Sequence, residues 1–153
     1  MKVIETSIVI EASADHVWRL LTDLDRYVNW NPFIVFASGH VAIGEPIRLR
    51  MAADMMPPRF HQRITVMNVN DYTLCWTTSG FTSRLFKTDY CFRIEPLDAE
   101  CVRFIQRESM SGWIPVLLSR RHRLYTYMVS MDKALKRLAE NKRYPLPISW
   151  TMA

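Results

Sequence analysis

The sequence predicts an α+β domain in which a curved, antiparallel, seven-stranded sheet wraps around one long C-terminal helix. Three observations carry this. Residues 113–142 repeat Leu117, Leu124, Met128, Met131, Leu135 and Leu138 on the three- and four-residue steps of a single helical face. Six segments before that stretch alternate apolar with polar residues, the period of a strand. Ahead of those lie one more strand and two short helices. The 153 residues suit one domain, 1–153, with a sizeable core.

Residues 3–11 open the chain as a strand with Ile4, Ile8 and Ile10 on one face and Glu5 and Ser7 on the other. Ser13 then offers a side-chain oxygen to cap a helix, and Asp15 suits its positive first turn. Val17, Trp18, Leu20 and Leu21 form that helix's apolar stripe, and residues 23–31 continue as a second short helix or turn that Pro32 stops. Strands follow at 33–38, 46–52, 60–68, 72–78, 84–94 and 102–110, with turns at Gly39 and Gly44 and a break at 54–58, which is rich in Met and Pro. Gly112 and Pro115 start the long helix and Pro145 ends it. At ~1.5 Å per residue it is on the order of 40 Å long and can cover the whole sheet. Six consecutive strands on short turns make a meander, and a meander this wide must curl around its one cover.

Composition narrows the function. Hydrophobic residues at 49% with 23% charged is an ordinary globular balance, and no apolar run approaches a bilayer span. The alternating N-terminus reads as a strand, not a signal peptide. The three cysteines, Cys75, Cys91 and Cys101, are odd in number and lie in strand-like runs, so they read as reduced, buried thiols of a cytoplasmic protein. A net charge of +5 admits nucleic acid, anionic lipid or an acidic small molecule as partner. Yet the arginines are scattered over different strands, the one cluster is 120–123 on the helix, and no nucleic-acid motif is present, so nucleic acid is not expected. His16, His40, His61 and His122 are far apart, which gives no metal site, and no nucleophile elbow or phosphate loop appears. No cofactor is expected. The oligomeric state is open, and a homodimer is among the states allowed.

The order of elements resembles the helix-grip, START-like fold of the birch-pollen allergen and the SRPBCC superfamily. The run 10–23 is similar to that family's opening strand and helix. Trp30-Asn31-Pro32-Phe33 resembles the turn of its polyketide cyclase/dehydrase-like branch, and 92–96 and 107–112 resemble that branch's last two strands. The resemblance covers essentially the whole chain and rests on turns and packing positions. It implies a hydrophobic cavity for a small molecule; some members catalyse cyclisation or dehydration.

Continuing the alternation puts Gln62, Thr78, Thr88, Gln106 and Glu108 on the inner face, joined by Arg121, which stands on the helical stripe where a Leu is expected. Glu108 and Arg121 are the candidate catalytic pair, expected to meet across the pocket mouth. There they either form a structural salt bridge or orient a polar group of the ligand, and an unpaired Glu108 has the raised pKa of a general acid or base. A register shift at the strand end would instead put Glu108 in solvent. The expected lining comes from Met51 and Met55, then Phe60, Gln62 and Ile64, then Tyr72, Leu74 and Trp76. Phe86, Thr88 and Tyr90, Phe104 and Gln106, and from the helix Leu117, Leu124, Tyr125 and Met128, complete it. The aromatics and methionines read either as an adaptable cavity wall or as a filled core. Three functions follow. The first is binding of a hydrophobic or aromatic, acidic or neutral, small molecule. The second is a cyclase/dehydratase-like lyase using acid–base residues in the cavity, and the third an interaction module using the basic helix face of Arg120, Arg123 and Lys133.

Overall fold

A computed structural model of the chain describes residues 2–53, 62–78, 86–112 and 114–141. Strand β1 (Lys2–Ile10) is followed by α1 (Ala14–Thr22), a 3-10 turn (Leu24–Arg26) and α2 (Tyr27–Trp30). Strands β2 (Ile34–Gly39), β3 (Pro46–Met51), β4 (Gln62–Asn70), β5 (Thr73–Thr78), β6 (Phe86–Asp98) and β7 (Cys101–Gly112) lead to α3 (Ile114–Glu140). The seven strands form one antiparallel sheet in the order β1-β7-β6-β5-β4-β3-β2. The meander thus closes by laying its last strand on the first, with Ile4 opposite Glu108 and Ile10 opposite Val102. Register shifts at Ile34/Phe36, Val66/Asn68 and Pro96/Asp98 interrupt the ladders, and such bulges raise local twist and help the sheet curl.

The local signals act as their chemistry dictates. Ser13 Oγ accepts from His16 N–H at 3.3 Å and caps α1. Asn31 Oδ1 accepts from both Phe33 N–H and Ile34 N–H at 2.9 Å, turning the chain after α2 into β2. Gly39 sits at φ +140°, where a Cβ would lie 2.8 Å from the carbonyl oxygen of Pro46. Asp71 and Tyr72 both have positive φ, 47° and 61°, in the two-residue turn between β4 and β5. That turn type follows the strands' own twist.

The inner face buries Ile4, Ile10, Ile47, Leu49, Ile64, Leu74, Phe92, Ile94, Val102 and Phe104 against Leu124, Met128, Met131 and Leu135 of α3. The far end of the helix is tied to the sheet edge. Lys136 Nζ donates to the Val9 carbonyl at 2.8 Å, and Glu140 Oε1 accepts from Glu11 N–H at 2.9 Å. This last bond, with Lys136, holds the Glu140 carboxyl below its usual range. The first contact occupies a backbone group of the edge strand β1 and the second one of the residue just after it.

The cysteine reading is corrected here. Cys75 and Cys91 are opposite one another on β5 and β6, with Cα atoms 4.1 Å apart, and are joined as a disulfide; Cys101 is free. All three are half-buried, and the bonded pair lies on the outer face of the sheet. An odd count of cysteines says nothing of which two the register brings together.

Candidate functional site

Between sheet and α3 the interior is aromatic. Phe33 stacks on Tyr127 at 5.9 Å and lies 6.1 Å from Tyr90. Tyr90 stacks on Trp76 at 5.9 Å and touches Phe92 at 4.9 Å. Phe92 in turn stacks on Phe104 at 6.0 Å. Trp76, Tyr90, Phe92 and Phe104 stand on inward positions of their strands, where the period of two places them, while Phe33 comes from the turn before β2 and Tyr127 from α3.

A polar band runs through this wall. The Tyr90 hydroxyl donates to Gln106 Oε1. Gln106 Nε2 donates to the Met128 carbonyl at 2.9 Å and to Asp132 Oδ1 at 2.5 Å. Thr6, opposite Gln106 on β1, faces the same carboxylate and helps to lower its pKa, although its Oγ1 falls short of hydrogen-bond geometry. Glu108 is buried directly across from Tyr90, and Thr88 is buried two residues along β6.

Burial decides the protonation states. It pushes the Asp132 carboxyl up to about 6 despite the opposing pull of Gln106 and Thr6. It also holds the Tyr90 phenol well above its usual range, with the Glu108 and Asp132 charges adding to the effect. Tyr90 therefore stays a neutral donor, and the band holds two carboxylic acids, one of them near its titration point at neutral pH. No described Lys, Arg or His is buried.

The structure brings Ile64, Leu74, Trp76, Thr88, Tyr90, Phe104, Gln106, Glu108, Leu124 and Met128 together on the inside, with Met51 half-buried at the rim. Met55 and Phe60 lie outside the described residues, as do the side chains of Gln62, Thr78, Phe86, Leu117 and Arg120.

Three expectations are corrected. Arg121 does not share the interior with Glu108: it is exposed, in a groove of about 590 Å³ beside Val3, Ile4 and Glu5. Tyr125 is 51% exposed in the same groove. Arg121 is in phase with Met128, but at its level the helix faces the open edge of β1. Tyr72 belongs to the β4–β5 turn at the far end, where its hydroxyl donates to Asp15 at 2.5 Å and its ring packs edge-on to Trp18.

Sequence reasoning missed Asp132, Thr6, Phe33 and Tyr127. Asp132 was findable, because it is four residues after Met128 and shares that face.

Comparison with known proteins agrees with the fold. A START superfamily protein from Mycobacterium smegmatis superposes with a TM-score of 0.68 at 14% identity, over 89% of this chain and 98% of that one. The di-domain ARO/CYC BexL from the BE-7585A biosynthetic pathway gives 0.71 at 14% identity, over 92% of this chain and 48% of that one. Norcoclaurine synthase from Thalictrum flavum, in complex with dopamine and hydroxybenzaldehyde, gives 0.70 at 11% identity, over 94% and 89%. No curated protein matches the sequence. The family model described as "polyketide cyclase / dehydrase and lipid transport" matches residues 1–141, and with a seven-stranded sheet around α3 in the START-like fold to go with it, the chain belongs to that family.

Proposed function

We propose that the protein binds an aromatic or otherwise hydrophobic small molecule between the sheet and α3, at the level of Tyr90 and Glu108. The observation that carries this reading is the buried polar band inside an aromatic wall. An interior built only to pack has no use for two carboxyl groups, an amide and a phenol, each costly to desolvate. A few convergent polar groups in an apolar enclosure are the usual makeup of a ligand site. The family's fold supports the reading, as does the presence of aromatic ligands in norcoclaurine synthase, a distant neighbour in structure.

The band also bears on the ligand's polarity. Its described charged members, Glu108 and Asp132, are acids, and Arg121 is on the surface. The interior therefore favours a ligand that donates hydrogen bonds, a phenol or an amine, over an acidic one.

The first test is native mass spectrometry of protein purified without denaturant, with extraction of anything bound. Calorimetric titration with tyramine and with 4-hydroxyphenylacetate then compares one ring carrying opposite charges. Tighter binding of the amine, weakened in Glu108→Gln, is expected. Tighter binding of the acid, or saturable binding of neither, refutes the reading. A cyclase/dehydratase-like activity is the second reading, favoured by the placement of Glu108 across from Tyr90, where an acid–base residue and a neutral phenol are neighbours on the inner face. Turnover lost in both Glu108→Gln and Tyr90→Phe, with ligand binding retained, would support it.

A further inference from the structure

The outer face of the sheet carries a second chemical feature, unrelated to the interior. Reading across the register at one level, Cys75 of β5 is opposite Cys91 of β6, Cys91 is opposite Arg107 of β7, and Arg107 is opposite Glu5 of β1. The period of two sends all four side chains outward. They floor a groove of about 810 Å³ that the next levels complete with Arg93 and Arg103. The disulfide is thus half-buried at the bottom of an open groove and not sealed in the core.

Charge in this groove is unbalanced. Arg93 and Arg103 share the single carboxylate of Glu95, and Arg107 is 3.9 Å from Glu5 with both side chains more than half exposed. Three guanidinium groups therefore face two carboxylates. An exposed pair at that distance is weak, which leaves the Arg107 cation available to its other neighbour, Cys91. Directly opposed residues on adjacent strands have Cβ atoms only ~5 Å apart, within easy reach of an arginine side chain.

We propose that the rank Cys75–Cys91–Arg107 is a thiol-exchange site that takes an acidic low-molecular-weight thiol of the glutathione class. The incoming thiolate attacks Cys75 Sγ, and its electron pair becomes the new sulfur–sulfur bond. The Cys75–Cys91 bond breaks, and its electron pair leaves on Cys91 Sγ as a thiolate beside Arg107. One disulfide is exchanged for another, so no further oxidant or reductant is needed. Direction follows from the leaving group: the sulfur whose thiolate is better stabilised leaves faster, and a neighbouring arginine stabilises it. Arg93 and Arg103 favour an anionic thiol over a cationic one of similar size.

The test uses the oxidised full chain, in a Cys101→Ser background so that no other thiol reports. Reduced glutathione is added, the reaction is quenched with acid, free thiol is alkylated, and the peptides are mapped. The expected result is one adduct on Cys75 with the alkyl label on Cys91. Arg107→Gln should slow the exchange, because the departing Cys91 thiolate loses its cation. Rate ratios of glutathione over cysteamine should fall as salt is added. Equal adducts on the two cysteines, an unchanged rate in Arg107→Gln, or two free thiols in the air-oxidised protein would each overturn the proposal.

Discussion

Replacing Asp132 by Asn should make the protein more stable at neutral pH, against the usual effect of altering a buried, hydrogen-bonded residue. Burial raises the carboxyl from its ordinary 3.8 to about 6. Below about pH 4 the group is protonated in both the folded and the unfolded chain and contributes no pH dependence. Between about 4 and 6 the folded protein keeps the proton while the unfolded chain releases it, so raising the pH favours unfolding. Above about 6 both states are ionised and the loss is complete. The interval between 3.8 and about 6 is some two units. At ~1.4 kcal/mol per unit it corresponds to at most about 3 kcal/mol. Asn keeps the oxygen that accepts from Gln106 and removes the ionisation, and its new amide group faces Thr6 Oγ1, an acceptor without a partner of good geometry. Urea unfolding of both proteins at several pH values between about 4 and 8 gives the difference directly, with contributions from all other groups cancelling. The variant's relative stability should climb through the window and then level off. Parallel pH profiles would refute the reasoning and show that Asp132 does not titrate there.

Other substitutions probe the scaffold. Tyr90→Phe leaves Gln106 Oε1 without its phenol donor and should cost about 1–3 kcal/mol in the same unfolding assay. Gly39→Ala places a Cβ at φ +140° and 2.8 Å from a backbone oxygen, so a loss of about 1–3 kcal/mol is expected. Ser13→Ala removes the α1 cap at a cost of about 1 kcal/mol, and Ser13→Asp should restore most of it. Thermal melts followed by circular dichroism suffice for both.

How much of this was legible follows from what each signal encodes. Alternation fixes which face of a strand a residue is on, so Thr88, Gln106 and Glu108 could be placed inside from the sequence, as could the aromatic wall. Helical periodicity fixes the phase of α3 but not where the sheet beneath it ends, which is why Arg121 was expected inside and stands in solvent. Tyr72 continues the alternation of Leu74 and Trp76, yet it falls in a turn with positive φ, where alternation has no meaning. The Cys75–Cys91 bond depends on the register between β5 and β6, a long-range property that counting cysteines cannot reach. Asp132 went unseen because a polar residue inside an apolar stripe is visible only if each step of the helix is tested.

The charge of the chain shows why bulk numbers mislead about a site. A net +5 suggested an acidic ligand, but the described basic side chains lie at or near the surface, while the buried charged residues are Glu108 and Asp132. The potential between the sheet and α3 is set by those two acids in a low-dielectric interior, not by the solvent-screened surface. Both acids act on Tyr90, and burial keeps Asp132 protonated up to about pH 6. A bound ammonium group would reverse the balance, favouring the ionised form and releasing the proton. The affinity for tyramine should therefore rise as the pH is raised towards about 6, by at most tenfold per unit, and level off above it, and Asp132→Asn should flatten the rise. Calorimetry in two buffers of different ionisation enthalpy measures the released proton. If the amine binds without proton release and with a flat pH profile, the ligand does not sense Asp132, and the polar band serves packing alone.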